Sequence, residues 1–155
     1  MSTLIHPLVE SDIDDVVALV VEFVETRANH PAGVSPVTLA QYLSRLVGTE
    51  NLIGYVARDD AGKAVGVIFG IIGPDWLSGK IVAQEQIWYV QPDGGASGLG
   101  LLRTFVAEAR RRDASLVISG YIPNFMGARI ARILERSGFD PVEHWWVKDL
   151  TKGTD

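Results

Sequence analysis

The spacing of apolar positions changes repeatedly along the chain, and each regime predicts an element. Residues 4–9 form a short β-like run. Behind it, Ile13, Val16, Val17, Val20 and Val24 fall on one helical face, opened by Ser11-Asp12-Ile13-Asp14, a variant capping box with aspartate at the N3 place. Valines are mediocre helix formers, so burial has to hold this helix. After a loop at 29–34, Ser35-Pro36 supplies an N-cap and a proline at the first helical position. Leu39, Tyr42, Leu43, Leu46 and Val47 then repeat at helical spacing up to Gly48, a C′ glycine. Two β-like runs, 52–58 and 63–72, flank the hairpin turn Asp59-Asp60-Ala61-Gly62. The second run lacks polar alternation, which predicts a central strand covered on both faces.

Past a loop holding Pro74 and Gly79, residues 81–90 read as a fourth strand, running into Pro92-Asp-Gly-Gly-Ala-Ser-Gly-Leu-Gly100 and a helix with Leu101, Leu102, Phe105, Val106 and Ala109 inward. A strand at 115–121, a helix at 124–137 ending at Gly138, and a last strand at 139–150 complete the order β-α-α-β-β-β-α-β-α-β. The β-α-β unit around the glycines requires two parallel strands, and the hairpins before it require antiparallel pairing. The expected fold class is therefore α/β (α+β): a mixed, mostly antiparallel sheet with helices on both faces. No repeat, linker or low-complexity tract interrupts residues 1–155, which read as one domain with a frayed tail at 151–155.

The glycines carry the first chemical signal. Gly94, Gly95, Gly98 and Gly100 lie between a strand and a helix, where bare backbone turns tightly and presents N–H groups at the positive end of the helix dipole. Phosphate oxygens suit that geometry, and so does a plain strand-to-helix connection. A dinucleotide fold fits poorly, because the turn follows an antiparallel meander.

The segment Tyr89-Val-Gln-Pro-Asp-Gly-Gly-Ala-Ser-Gly-Leu-Gly-Leu-Leu102 resembles motif A of the GNAT superfamily of acetyl-CoA-dependent N-acyltransferases. The order of elements over residues 4–150 is similar too, as is Glu135-Arg-Ser-Gly-Phe139 before the last strand. The resemblance implies that acetyl-CoA is the acyl donor and that backbone amides of Gly95, Ala96, Ser97, Gly98, Leu99 and Gly100 hold its pyrophosphate. It implies that the fourth and fifth strands splay to admit the pantetheine arm, and that the N–H near Val90 polarises the thioester carbonyl. Asn124 stands near the place of a cofactor-contacting asparagine. Two positions depart from the family pattern. Gly95 occupies the usual place of arginine or glutamine, leaving Arg103, Arg129 or Arg132 as replacement bases. Leu134 lies where many members have the tyrosine that protonates the leaving thiolate.

Attack on a thioester needs a neutral amine and hence a base. Glu85 is the only carboxylate between Asp75 and Asp93, and simple strand alternation sets it on one face with Ile87 and Tyr89. Apolar neighbours would raise its pKa into a useful range; a solvated strand glutamate is the plain alternative. Tyr89 and Tyr121 are thiol acids by type, though tyrosines at strand ends commonly serve the core edge. His144 beside Trp145 and Trp146 reads as structural, and Arg110-Arg111-Arg112 as a solvated helix end. One of the adjacent tryptophans is left outward, available for a homodimer interface.

Composition narrows the rest. The 155 residues include no cysteine, so disulfides, thiolate metal sites and an acyl-cysteine intermediate drop out. His6, His30 and His144 are too scattered for a metal site. No apolar run approaches the ~20 residues a bilayer needs, and no basic-then-apolar leader opens the chain, so a cytoplasmic protein is expected. Net charge is −5, with ten acids against four bases in residues 1–77. That balance disfavours nucleic acid; it suits a cationic amine acceptor, and equally a plain solvated surface that serves solubility. The leading expectation is direct acetyl transfer to a primary amine of a small molecule or peptide. The alternative is an inactive module that binds acyl-CoA or a partner protein through the same cleft.

Overall fold

The run without polar alternation forms the middle of the sheet. A computed structural model describes residues 3–28, 32–121, 126–143, 148 and 150. Its strands are β1 (Leu4–Pro7), β2 (Leu52–Arg58), β3 (Ala64–Pro74), β4 (Ile81–Val90) and β5 (Leu116–Ile118), and they lie in that spatial order. Pairing is antiparallel from β1 to β4 and parallel between β4 and β5. The first seven residues of β3 are all buried, as expected of a strand with helices above and below.

Helices α1 (Ile13–Phe23) and α2 (Pro36–Leu46) cover one face; α3 (Ser97–Arg111) and α4 (Gly127–Arg136) cover the other. On the first face Val16, Leu19, Val20 and Leu43 pack against Val56, Val67 and Phe69. On the second, Leu101, Leu102, Phe105 and Leu134 pack against Ile53, Ile68 and Ala83. Each of the larger side chains among these contributes about 1.5–3 kcal/mol by leaving water. Burial offsets the low helix propensity of α1. Among the described residues no helix is long and apolar enough to cross a membrane.

Several local expectations change. The Ser11 capping box does not form. The helix instead opens with a 3₁₀ turn at Glu10–Asp12, and the Val9 N–H donates to Asp12 Oδ2 at 3.0 Å. Asp12 is buried because Arg58 donates to it and also pairs with Asp15 at 2.8 Å. β1 therefore stops at Pro7. The arginine run is not simply solvated: Arg111 and Arg112 both bind Glu108, and Arg112 also donates to the carbonyls of Glu50 and Leu52. Arg111 foremost holds the Glu108 carboxyl down at about 2. Ser35 caps α2 as expected, accepting from the Thr38 N–H at 3.3 Å. Residues 139–143 form no strand; Trp145, Trp146 and His144 lie outside the described residues.

Register is regular between β3 and β4 except at one place. Phe69 pairs with Ile87 and Gly70 with Glu85, so Gln86 is an inserted bulge residue. Opposite the bulge, a Cβ on Gly70 would lie 2.1 Å from the Gln84 carbonyl oxygen. Only glycine fits there. Gly70→Ala is expected to cost about 1–3 kcal/mol in denaturant unfolding. Gly73→Ala, whose Cβ would meet nothing within 4 Å, should cost far less in the same measurement.

Candidate active site

The bulge reverses the parity of β4. Before it, the Ile81 carbonyl accepts from Ser115 N–H on the β5 side; after it, the Gln91 N–H donates to Val65 O on the β3 side. Both residues have odd numbers, so one inserted residue has exchanged the edges. By alternation the N–H groups of Trp88 and Val90 then face away from β3. They meet no strand there, because pairing with β5 stops at Gln84 and Ile118. The strands part beyond that point, and β5 is shorter than the expected 115–121. Between them lies a cleft of about 200 Å³ lined by Glu85, Trp88, Gly120, Tyr121 and Ile130, with Phe23, Gln86 and Ile87 from the α1 side. The expectation of splayed strands holds.

Side-chain faces exchange as well. Ile87 and Tyr89 join the core under α1, whereas Glu85 lies opposite Gly70, on the α3–α4 face with Ala83. The expected common face for Glu85, Ile87 and Tyr89 is therefore wrong: alternation assumes a strand without insertions. Glu85 is the one carboxylate lining the cleft among the described residues. Its Oε2 accepts from Ser119 Oγ at 2.8 Å and, at 3.5 Å, from the Gly120 N–H. Burial pushes its carboxyl up to about 7, against the opposing pull of those two donors.

The glycine turn adjoins this cleft. Trp88 lines the cleft and donates its indole N–H to the Gly98 carbonyl at 3.0 Å. A 3₁₀ turn at Pro92–Gly94 leads into Gly95, which has φ 58° and ψ −133°, and α3 begins without a side-chain cap. The first-turn N–H groups of α3, from Ser97 onward, thus have no capping side chain. Ser97 turns its hydroxyl inward to the Gly94 carbonyl at 2.7 Å, so only its backbone can serve a ligand. A Cβ at Gly98 would lie 3.5 Å from Val90 Cγ2 and 3.9 Å from Trp88 Nε1; bare backbone leaves that space open above the strand end. Uncapped amides beside an apolar slot fit a ligand with an anionic head and a long neutral arm.

Solved structures of similar shape include an acetyltransferase of Trypanosoma brucei at 21% identity, covering 96% of this chain and 100% of that one with TM-score 0.71. A predicted acetyltransferase of Clostridium acetobutylicum, solved with acetyl-CoA, matches at 14% identity, 99% and 100% coverage and TM-score 0.77. A transcriptional regulator of Bacillus halodurans matches at 15% identity, 96% and 100% coverage and TM-score 0.77. The chain has the GNAT fold. No family profile matches the sequence, and no curated protein matches it.

Within the GNAT fold the two departures have structural counterparts. Leu134 is 7% exposed and packs in the core beneath α4, so no acid stands at that place. Arg103, Arg129 and Arg132 are exposed, and none makes a side-chain hydrogen bond or ion pair within the described residues. Tyr89 does not serve as a thiol acid: it is 2% exposed under α1, donates to Glu22 Oε1 at 2.8 Å, and burial foremost lifts its hydroxyl to about 12. Tyr121 is 45% exposed on the cleft wall. Asn124 lies outside the described residues. Sequence reasoning missed Trp88, Ser119 and Ile130, which line or support the cleft, and Glu22 behind it. The Ser-Gly step at 119–120, which breaks an apolar strand, was the available signal for Ser119.

Because Glu85 binds its proton more tightly when folded, its stabilising contribution is complete below about 4.5 and is lost as pH rises through about 7. Glu85→Gln has no such loss. Its unfolding free energy relative to wild type is therefore expected to rise between pH 5 and pH 8 (about the span of that transition), as read by denaturant titration at the two ends.

Proposed function

We propose that the protein is an acetyl-CoA-dependent N-acetyltransferase that moves the acetyl group directly to a primary amine. The observation that carries this reading is the continuity of three features: the bare amides of residues 95–99, the unpaired edge of β4 at Trp88 and Val90, and the Glu85 carboxylate in the cleft. An anionic coenzyme head, a peptide-like arm and a reacting amine require such features in that order.

In this reading the backbone N–H groups from Gly95 to Leu99 hold the diphosphate, the Gly100 N–H being taken up by the first helical bond of α3, and the pantetheine arm lies along the vacated edge of β4. The Val90 N–H, directed away from β3, polarises the thioester carbonyl and stabilises the oxyanion as the amine attacks. Glu85 takes the proton from the amine nitrogen; a carboxyl near 7 is matched to that work at neutral pH. The nitrogen–carbon bond forms, the carbon–sulfur bond breaks, and the thiolate leaves with a proton from Tyr121. With no cysteine in the chain, an acyl-cysteine intermediate has no place in the scheme. The acceptor is read as cationic, supported by the excess of acids in residues 1–77. Arg58, one of those four bases, pairs with both Asp12 and Asp15, so that cluster keeps one negative charge.

Acetyl-CoA at one hundred times its Kd should stabilise the protein by ~2.7 kcal/mol, and Gly98→Val should abolish the gain without unfolding the domain. An undiminished thermal shift in that variant would remove the cofactor site. Glu85→Gln is expected to lower turnover of the best amine in a panel by ~10²-fold near neutral pH while acetyl-CoA affinity holds. The deficit should shrink at high pH, where the amine is already neutral. Binding of acetyl-CoA without turnover on any amine would favour a non-catalytic module. For the acceptor, kcat/KM should fall with ionic strength, because salt screens a cation's approach over ~8 Å; a flat profile refutes the cationic class.

A further inference from the structure

We propose that Glu22, on the last turn of α1, is a positioning residue for the coenzyme: it fixes the glycine turn from the opposite face of the sheet by holding Gln91. The proposal rests on reading that turn as the coenzyme site.

Gln91 is the residue from which the turn springs, and three of its polar groups are engaged in different directions. Its N–H donates to Val65 O on β3 at 2.9 Å, and its carbonyl accepts from the Gly94 N–H at 2.8 Å. Its side-chain Nε2 donates to Glu22 Oε2 at 2.5 Å. A carboxylate only accepts, so Glu22 dictates which end of the Gln91 amide faces α1. The other oxygen of Glu22 accepts from the Tyr89 hydroxyl at 2.8 Å. Phe23 lays its ring against Tyr89 with centroids 5.1 Å apart, and the nearby Arg27 guanidinium opposes the rise in the tyrosine's pKa. Arg27 belongs to the π turn Val24–Ala28 that ends α1.

The turn has little freedom to absorb a displaced Gln91. A Cβ at Gly94 would stand 2.3 Å from Val90 Cγ1 and 3.1 Å from Val65 O, so Gly94 is already wedged against the strand ends. Movement of Gln91 therefore passes through Gly94 to the amides of residues 95–99. Backbone donors hold a diphosphate only in the correct geometry, and small misplacements are costly. A contact under α1 thus acts on a ligand bound at the start of α3.

The test is calorimetric acetyl-CoA affinity on the whole chain and its variants. Glu22→Ala is expected to weaken binding about tenfold and Gln91→Ala to a similar degree. The double variant should lose no more than either single, because both remove one link. Glu22→Gln can accept from Tyr89 and pair with a rotated Gln91 amide, and should restore affinity to within about threefold. Tyr89→Phe deletes the other contact of the same carboxylate: it should lower Tm as Glu22→Ala does, yet keep affinity within about twofold. Unchanged affinity in Glu22→Ala, additive losses in the double variant, or an equal loss in Tyr89→Phe overturns the proposal and leaves the acetyltransferase reading standing. A wild-type chain that does not bind acetyl-CoA overturns both.

Discussion

The missing side chain at residue 70 is the constraint on which the site depends. Gln84 and Glu85 fold their backbone into the space where a Cβ would be, and the inserted Gln86 is held out at the surface, where its side-chain oxygen accepts from the Tyr42 hydroxyl of α2. Every later residue of β4 is then turned over. Trp88 and Val90 come to face α3, Ile87 and Tyr89 face α1, and the edge that β5 would have paired is left with unmatched donors and acceptors. Unpaired strand edges are costly where water is excluded and prone to wrong pairing where it is not. A cleft lined by such an edge is suited to a ligand that can complete the ladder.

The two faces of the sheet divide the work. On the α3–α4 side, Trp88 ties the cleft wall to the glycine turn, and Ser119 holds the Glu85 carboxylate. On the α1 side, the polar groups at the end of β4 are satisfied internally by Glu22. The distinction matters for chemistry. Tyr89 is locked as a donor to a carboxylate, whereas Glu85 lines the cleft and has a carboxyl near neutrality. Two ionisable groups four residues apart lie on opposite faces of the sheet because one insertion lies between them.

Much of the scaffold was legible from local signals. The bounds of β2 and β4 follow from turn residues on either side, and α2 from Ser35-Pro36 at one end and Gly48, with φ 82°, at the other. The turn glycines were identifiable because few other residues accept such backbone. The bulge was not legible. Period-two reasoning carries one parity through a strand, and nothing in Gln84-Glu85-Gln86 distinguishes an insertion from three ordinary polar positions. Glu22 was equally invisible: on the helix it occupies a polar place, and its partners are more than sixty residues away. Arg112 misled for the same reason, since its carbonyl partners on the approach to β2 are remote in sequence. Properties set by neighbours along the chain were readable; those set by neighbours across the sheet were not.

Gly95 holds a conformation, φ 58° with ψ −133°, that is open in practice to glycine alone. An arginine or glutamine at this position would have to adopt that same backbone. Installing the larger residue would impose strain before its guanidinium or amide could reach a ligand, even though space for the side chain is free. The turn would first have to be rebuilt through its neighbours. A side-chain charge toward a ligand is therefore more readily supplied from another position in the chain than from residue 95.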